Sequence, residues 1–283
     1  MMANLSDSDI ERFIEEDLPY GDLTTHLLGI GGRPGRITFA TREETTLSCT
    51  EEAARVLQKC GATVVSCMPS GTRIATGIEF LVADGSAQAL HAGWKVALNL
   101  VEYASGIATC TSKIVDTARA VNPSITVLTT RKTFPGTKKI AIKAISAGGA
   151  LPHRLGLSES ILVFKQHTIF GGGLTESLKS VPDLRARAPE QKIIVEADTV
   201  DEALIISRAG VDVVQVDKLA PRELKTLVEE IRRIDNRVKI SAAGGINAAN
   251  AEEYAATGVD ILVLSSVYYS KPADISVTIN PYT

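Results

Sequence analysis

Ile193-Ile-Val-Glu-Ala197, Val213-Val-Gln-Val-Asp217, Lys239-Ile-Ser-Ala-Ala243 and Ile261-Leu-Val-Leu-Ser265 are short β-branched runs, each closing on a small or polar residue. Between them lie segments of helical period, around residues 201–209, 221–234 and 248–257. Thr199, Pro221 and Asn247 open these as capping or first-turn residues. Strand and helix alternating at about 20 to 30 residues predict βα units around a parallel sheet.

Working outward, Ile161-Leu-Val-Phe164 and Ile125-Thr-Val-Leu-Thr-Thr130 extend the series upstream. Six such strands without a long polar break favour a closed barrel over an open doubly wound sheet. Before Thr109 the pattern changes. Residues 36–41 and 45–49 alternate like antiparallel strands, a helix follows over 51–59, and 63–69 and 79–83 return to strand. Gly71, Gly77, Gly85 and Gly93 stand at turn positions. A long helix over 94–121, interrupted near Ser105-Gly106, carries the chain into the barrel. The tail Val277-Thr-Ile-Asn-Pro281 reads as a strand. The chain is therefore an α/β protein, with an N-terminal α/β domain over 1–105, a tail over 271–283 that returns to it, and a barrel domain over 106–270.

At 283 residues and 45% hydrophobic content the chain can bury a large core, which excludes disorder. Its 30 basic and 33 acidic residues are mixed along the sequence, so no single-sign field drives binding to nucleic acid or membrane. Cys49, Cys60, Cys67 and Cys110 lack metal-site spacing and suit a reducing compartment. The acidic N-terminus has no basic segment followed by an apolar run, and no apolar run approaches the roughly 20 residues that span a bilayer. The expectation is a cytoplasmic enzyme.

In a βα barrel the chemistry sits where the strands end. Here Arg131 and Lys132 follow the first barrel strand, Lys165 the second, Glu196 closes the third, Asp217 the fourth, Gly244-Gly245 the fifth and Ser265-Ser266 the sixth. Alternation along a strand lets Glu196 and Asp217 point into one space. Two carboxylates among cations suit a divalent metal bound with phosphate, or a cationic transition state. Arginine offers a fork to carboxylate or phosphate and lysine a point charge. His153 and Arg154 lie in a Gly-rich loop before the second strand. Ala243-Gly244-Gly245 with Ser265 and Ser266 makes a candidate phosphate cradle of backbone N–H groups and hydroxyls. Lys95, Asn99 and Glu102 form a polar stripe on the long helix.

Taken together, these segments resemble the quinolinate phosphoribosyltransferase family over nearly the whole chain. The resemblance rests on Glu16-Asp-Leu-Pro-Tyr-Gly-Asp-Leu-Thr-Thr25, Leu98-Asn-Leu-Val-Glu-Tyr-Ala-Ser-Gly-Ile-Ala-Thr109, Thr130-Arg-Lys-Thr-Phe-Pro-Gly136, His153-Arg-Leu-Gly-Leu157 and Ala243-Gly-Gly-Ile246, in the family's order. Trp94-Lys-Val-Ala-Leu-Asn99, Gly148-Gly-Ala-Leu-Pro-His-Arg154 and Leu162-Val-Phe164 are similar to its ModD branch, whose members accompany molybdate transport genes.

The resemblance implies a small N-terminal α/β sandwich, an incomplete TIM-like barrel of six or seven parallel strands, and a homodimer. In that dimer one subunit's N-terminal domain completes the other's site. It also implies Mg²⁺ and phosphoribosyl pyrophosphate (PRPP), transfer of the ribose C1 to the nitrogen of a small acidic acceptor, and release of pyrophosphate. Glu196, Asp217 and Lys132 match catalytic positions. Lys95, Arg131, His153, Arg154 and Lys165 correspond to acid-substrate and pyrophosphate contacts. Ala243, Gly244, Gly245, Ser265 and Ser266 match the phosphate cradle, with Glu196 and Asp217 near the metal.

Departures cluster on substrate-specifying positions. Lys95 replaces an arginine and Phe164 a lysine. Ile194 and Lys218 replace a glutamate and an asparagine, and Ser265 and Tyr269 replace a glycine and a histidine. These changes predict phosphoribosyl transfer to an acceptor other than quinolinate. The alternatives are an authentic quinolinate enzyme, a non-catalytic anion-binding protein on the same fold, or a lyase acting through a lysine Schiff base. Lys239 begins its strand rather than ending it, which argues against the lyase.

Overall fold

The computed structural model describes residues 4–282. Its elements in chain order begin with α1 (Asp7–Asp17), α2 (Leu23–Leu27), β1 (Pro34–Thr41), β2 (Thr45–Thr46), α3 (Thr50–Lys59), β3 (Thr63–Cys67), β4 (Arg73–Ile74), β5 (Glu79–Ser86) and α4 (Ala87–Val121). There follow β6 (Thr126–Thr129), α5 (Lys138–Ala147), β7 (Leu151–Pro152), β8 (Ile161–Val163), α6 (Lys165–Phe170), α7 (Leu174–Leu178), α8 (Val181–Arg187) and β9 (Ile193–Ala197). The chain continues through α9 (Val200–Ser207), β10 (Val213–Asp217), α10 (Pro221–Ile234), β11 (Lys239–Ala243), α11 (Ala251–Ala255), β12 (Ile261–Leu264) and β13 (Ile275–Pro281). No helix among the described residues is long and apolar enough to cross a membrane.

The chain forms two compact units. The first takes residues up to Ser112, Thr133–Gly149 and Val267 onward; the second takes Lys113–Lys132 and Ala150–Ser266. The first unit is built on an antiparallel sheet in the order β13-β1-β5-β3. Strand β1 alternates exposed and buried positions, which puts Ile37 and Phe39 in the core, where Phe39 meets Phe80 at 6.2 Å between ring centroids. Helix α3 buries Ala53, Val56 and Leu57, the i, i+3, i+4 stripe of an amphipathic helix.

The second unit is a seven-stranded sheet in the order β7-β6-β12-β11-β10-β9-β8, parallel throughout. Strands β7 and β8 stand at opposite edges of that order, so the sheet is an open half-barrel rather than the closed barrel that strand alternation alone predicts. Thr199 caps α9 by accepting from Glu202 N–H, and Pro221 opens α10, which buries Leu224, Leu227, Val228 and Ile231. The cap of α11 is Asn250; Asn247 instead accepts the Ala249 N–H in the preceding turn.

Two local expectations are corrected, and one strand is added. Helix α4 runs unbroken through Ser105-Gly106. Gly106 is there for close approach: a Cβ on it would lie 2.3 Å from the Lys271 carbonyl oxygen. The strand read over 45–49 is only β2, because Cys49 turns into the left-handed region at φ 60 to start α3. Strand β7, two residues long and ending in proline, was not read from the sequence.

Candidate active site

A parallel sheet turns every strand's carboxyl end to one edge. From one side to the other the edge of the second unit carries His153 and Arg154 after β7, Arg131 and Lys132 after β6, and Ser265 and Ser266 after β12. Next come Gly244 and Gly245 after β11, Asp217 at the end of β10, Glu196 near the end of β9 and Lys165 after β8. Arg131, Lys132, His153 and Arg154 thus stand at one side and the carboxylates, with Lys165, at the other, with a glycine turn between.

The cations are held without neutralisation. Arg131 and Lys132 are exposed and have no ion-pair partner among the described residues. Burial lowers the pKa of Arg154, and repulsion from Arg131 adds to that, against a weaker pull from Glu159. His153 is half-buried, its N–H donating to Thr129 O at 2.9 Å. Burial depresses its pKa, as does Arg154. Uncompensated cations that repel one another call for an anionic ligand.

On the acid side, Glu196 and Gln215 are register partners on neighbouring strands, so their side chains share a face. Gln215 Nε2 donates to Glu196 Oε2 at 2.8 Å. Burial is the main influence on Glu196 and raises its pKa; the Gln215 bond opposes it, and Asp217 and Asp198 push with burial. Asp217 is paired with Lys218 Nζ at 3.0 Å. A cavity of about 240 Å³ is lined by Glu196, Asp198 and Glu202 together with Lys165 and Thr168. Lys165 is not on a strand, since β8 ends at Val163. It opens α6, with Nζ 3.6 Å from Asp198. Phe164 stacks edge-on against His167 at 4.2 Å.

Gly244 and Gly245 both have left-handed backbone, at φ 85 and 75. The N–H groups of Gly244, Gly245 and Ile246 have no acceptor among the described residues, which leaves them free for an anion. Ser266 Oγ donates to Ile246 O at 2.9 Å, so it props the turn. Ser265 Oγ and Thr130 Oγ1 share a 2.7 Å hydrogen bond. Ala243 O is taken by Lys218 N–H at 2.8 Å.

Elsewhere, Lys95 is exposed on α4 in the first unit, its ammonium 5.0 Å from the Trp94 ring centroid. Lys239 pairs with Asp260 at 2.9 Å at the amino end of its strand, away from the edge that carries the acids. The first unit has its own cavity of about 770 Å³, walled by Phe13, Leu100, Tyr103, Phe134, Ile140 and Tyr268. It is mainly apolar. Gln215 and Asp198 were missed as site residues from the sequence, and Lys218 was read only as a departure from the family's pattern. Only the β9–β10 register exposes Gln215, and the backbone angle at 218 exposes its lysine.

The strand ends of an open parallel half-barrel thus carry unpaired cations and a pair of carboxylates. The fold is shared with NadC from Streptococcus pyogenes at a TM-score of 0.88 over 99% of both chains and 23% identity. The quinolinate phosphoribosyl transferase N-terminal domain matches residues 22–105 and the C-terminal domain of the same family residues 107–278. The chain belongs to the quinolinate phosphoribosyltransferase family. Within it, the chain is 44% identical to a Rhodobacter capsulatus protein named as pyrophosphorylase ModD, over 88% of this chain and 96% of that one. A Methanothermobacter thermautotrophicus protein named as a carboxylating nicotinate-nucleotide pyrophosphorylase is more distant, 29% identical over 95% of this chain and 97% of that one. The chain is a ModD-like pyrophosphorylase of this family.

Proposed function

We propose that the enzyme transfers the phosphoribosyl group of PRPP to an aromatic or heterocyclic acid other than quinolinate, in a role linked to molybdenum transport. The observation that carries this reading is the division of one strand edge into unneutralised cations and a carboxylate pair. In the reaction an acceptor ring nitrogen attacks ribose C1 as the bond from C1 to pyrophosphate breaks, and pyrophosphate leaves with the electron pair. Arg131, Lys132 and Arg154 receive the anionic groups. Glu196 and Asp217 face the positive charge that develops on the ribose. The Gly244-Gly245 turn offers its N–H groups to the sugar phosphate. The change of acceptor rests on Phe164, which sets an aromatic ring where the family has a lysine, and on Lys95, which cannot grip a carboxylate in the forked manner of arginine.

We further propose a homodimer in which Lys95 of one subunit completes the site of the other. Direct coordination of the family's Mg²⁺ by Glu196 and Asp217 does not fit these residues as they are paired, which leaves an ion held through water or carried by the pyrophosphate. Glu196 Oε2 already accepts from Gln215 and Asp217 from Lys218, and no three metal-binding acids, histidines or cysteines cluster among the described residues. No step is therefore assigned to a protein-bound ion.

The test is pyrophosphate release from PRPP against a panel of aromatic and heterocyclic acids, quinolinate included. The expected result is release with at least one acid other than quinolinate, and at least about a thousandfold loss in Asp217→Asn with its melting curve retained. Release with quinolinate alone would identify an authentic quinolinate enzyme. Anion binding without release would leave a binding protein.

A further inference from the structure

Lys218 and Cys49 are the non-glycine residues with left-handed backbone among the described residues, each at φ 60. Glycine, asparagine and aspartate enter that region far more readily than lysine, whose Cβ crowds the following carbonyl. The backbone is fixed there by the Lys218 N–H bond to Ala243 O at 2.8 Å. The opposing turn is shaped to admit the lysine stem: a Cβ on Gly244 would lie 2.5 Å from Lys218 Cγ and 2.5 Å from Asp217 Oδ1. Two strand-end turns interlock, and the lysine is the part they accommodate.

Its ammonium stands 3.0 Å from Asp217 Oδ2, and its charge also acts on Glu196 and Asp198. Of the other cations, Lys165 pairs with Asp198 alone, at 3.6 Å. Without Lys218, Glu196 and Asp217 would meet the polyanionic donor that the proposed reaction requires with no cation of their own, and like charges at close range repel.

We propose that Lys218 is the tethered cation of this acid cluster. Its ammonium takes, at Asp217, the place that a protein-bound divalent ion would take, so a free divalent ion competes with the lysine instead of completing the site. The inference deepens the phosphoribosyl-transfer reading. Its test needs no donor or acceptor, so its failure is distinct from a failure of pyrophosphate release.

The experiment titrates Mn²⁺ alone into the full-length protein and reads free Mn²⁺ by electron paramagnetic resonance. Asparagine is at ease in left-handed backbone, so Lys218→Asn keeps the fold, and its melting curve checks this. The expected result is weak Mn²⁺ binding by the wild type and at least about tenfold tighter binding by Lys218→Asn. The gain disappears in the Lys218→Asn, Asp217→Asn double variant, and Lys218→Arg, which keeps the charge, stays as weak as the wild type. Equal binding by the wild type and Lys218→Asn, strong or absent, overturns the proposal. So does a tight wild-type site that Asp217→Asn removes.

Discussion

Lys143 in the first unit and the cations of the half-barrel edge are the same kinds of residue put to opposite use. Lys143 is buried on α5, its ammonium 2.5 Å from Glu52 and 2.9 Å from Glu51, with side-chain exposure of 7% for the lysine and 2% for Glu52. Ser70 completes the cluster by donating to Glu51 from both its N–H and its hydroxyl. Every charge there is answered inside the unit, and the cluster ties α5 to α3. At the barrel edge Arg131 and Lys132 have no such partner, and Arg154 is pressed by Arg131. Charge that is satisfied internally holds a fold together; charge left open in an otherwise well-satisfied molecule is reserved for something that arrives.

The sharpest way to break this contrast is Lys143→Ala, which strands Glu52 in the core. Stability should fall by about 3–5 kcal/mol, read by urea denaturation. Replacing Lys143 by Met and Glu52 by Leu together should recover most of that, because well-packed apolar groups avoid the cost of desolvating charge. A loss below about 1 kcal/mol in the single variant would show the buried pair to be idle. Arg154→Ala at the barrel edge should do the reverse. Its stability should hold or rise, while binding of inorganic pyrophosphate measured by calorimetry weakens by about 10- to 100-fold, the worth of a charged hydrogen bond. A fall in stability with binding untouched would make Arg154 a scaffold residue.

The smallest effect lies in acid. Burial would raise the Glu51 pKa, but hydrogen bonds from Lys143 and Ser70 outweigh it and hold the pKa at about 2, below the ordinary 4.5. A depressed carboxyl pKa gives stability that is whole above pH 4.5 and is lost as pH falls toward 2. Lys143, raised above 10.5 by the two glutamates in spite of burial, gives stability that is whole below 10.5 and is lost only at more alkaline pH. Glu51→Gln should therefore flatten the acid limb of the stability curve. With Glu51 42% exposed, solvent screening keeps the change at neutral pH under about 1 kcal/mol. An unchanged acid limb would mean that Glu51 titrates normally.

Strands β9 to β12 were legible because each is a β-branched run bounded by turn residues, and local pattern is all that such a strand requires. Their polar terminal residues followed at once, since a parallel sheet brings like ends together. What escaped depended on partners distant in sequence. Strand β7 exists by pairing with β6 and has no periodicity to read. Gly106 looked like a helix breaker because the Lys271 backbone that it admits lies far downstream. Helix α5 follows a barrel strand, yet joins the first unit. Gln215 becomes the partner of Glu196 only once β9 and β10 are set side by side. Lys218 looked like a simple change of residue type, because a sequence does not display φ.

Strand β13 has a consequence for biosynthesis. It pairs with β1 across a separation reaching 246 residues, between Gly35 and Pro281. While the ribosome makes everything in between, β1 has an unclaimed hydrogen-bonding flank, the kind of edge that recruits stray strands from other chains. The first unit to emerge is thus among the last to be finished, and its solubility during synthesis depends on a segment not yet translated.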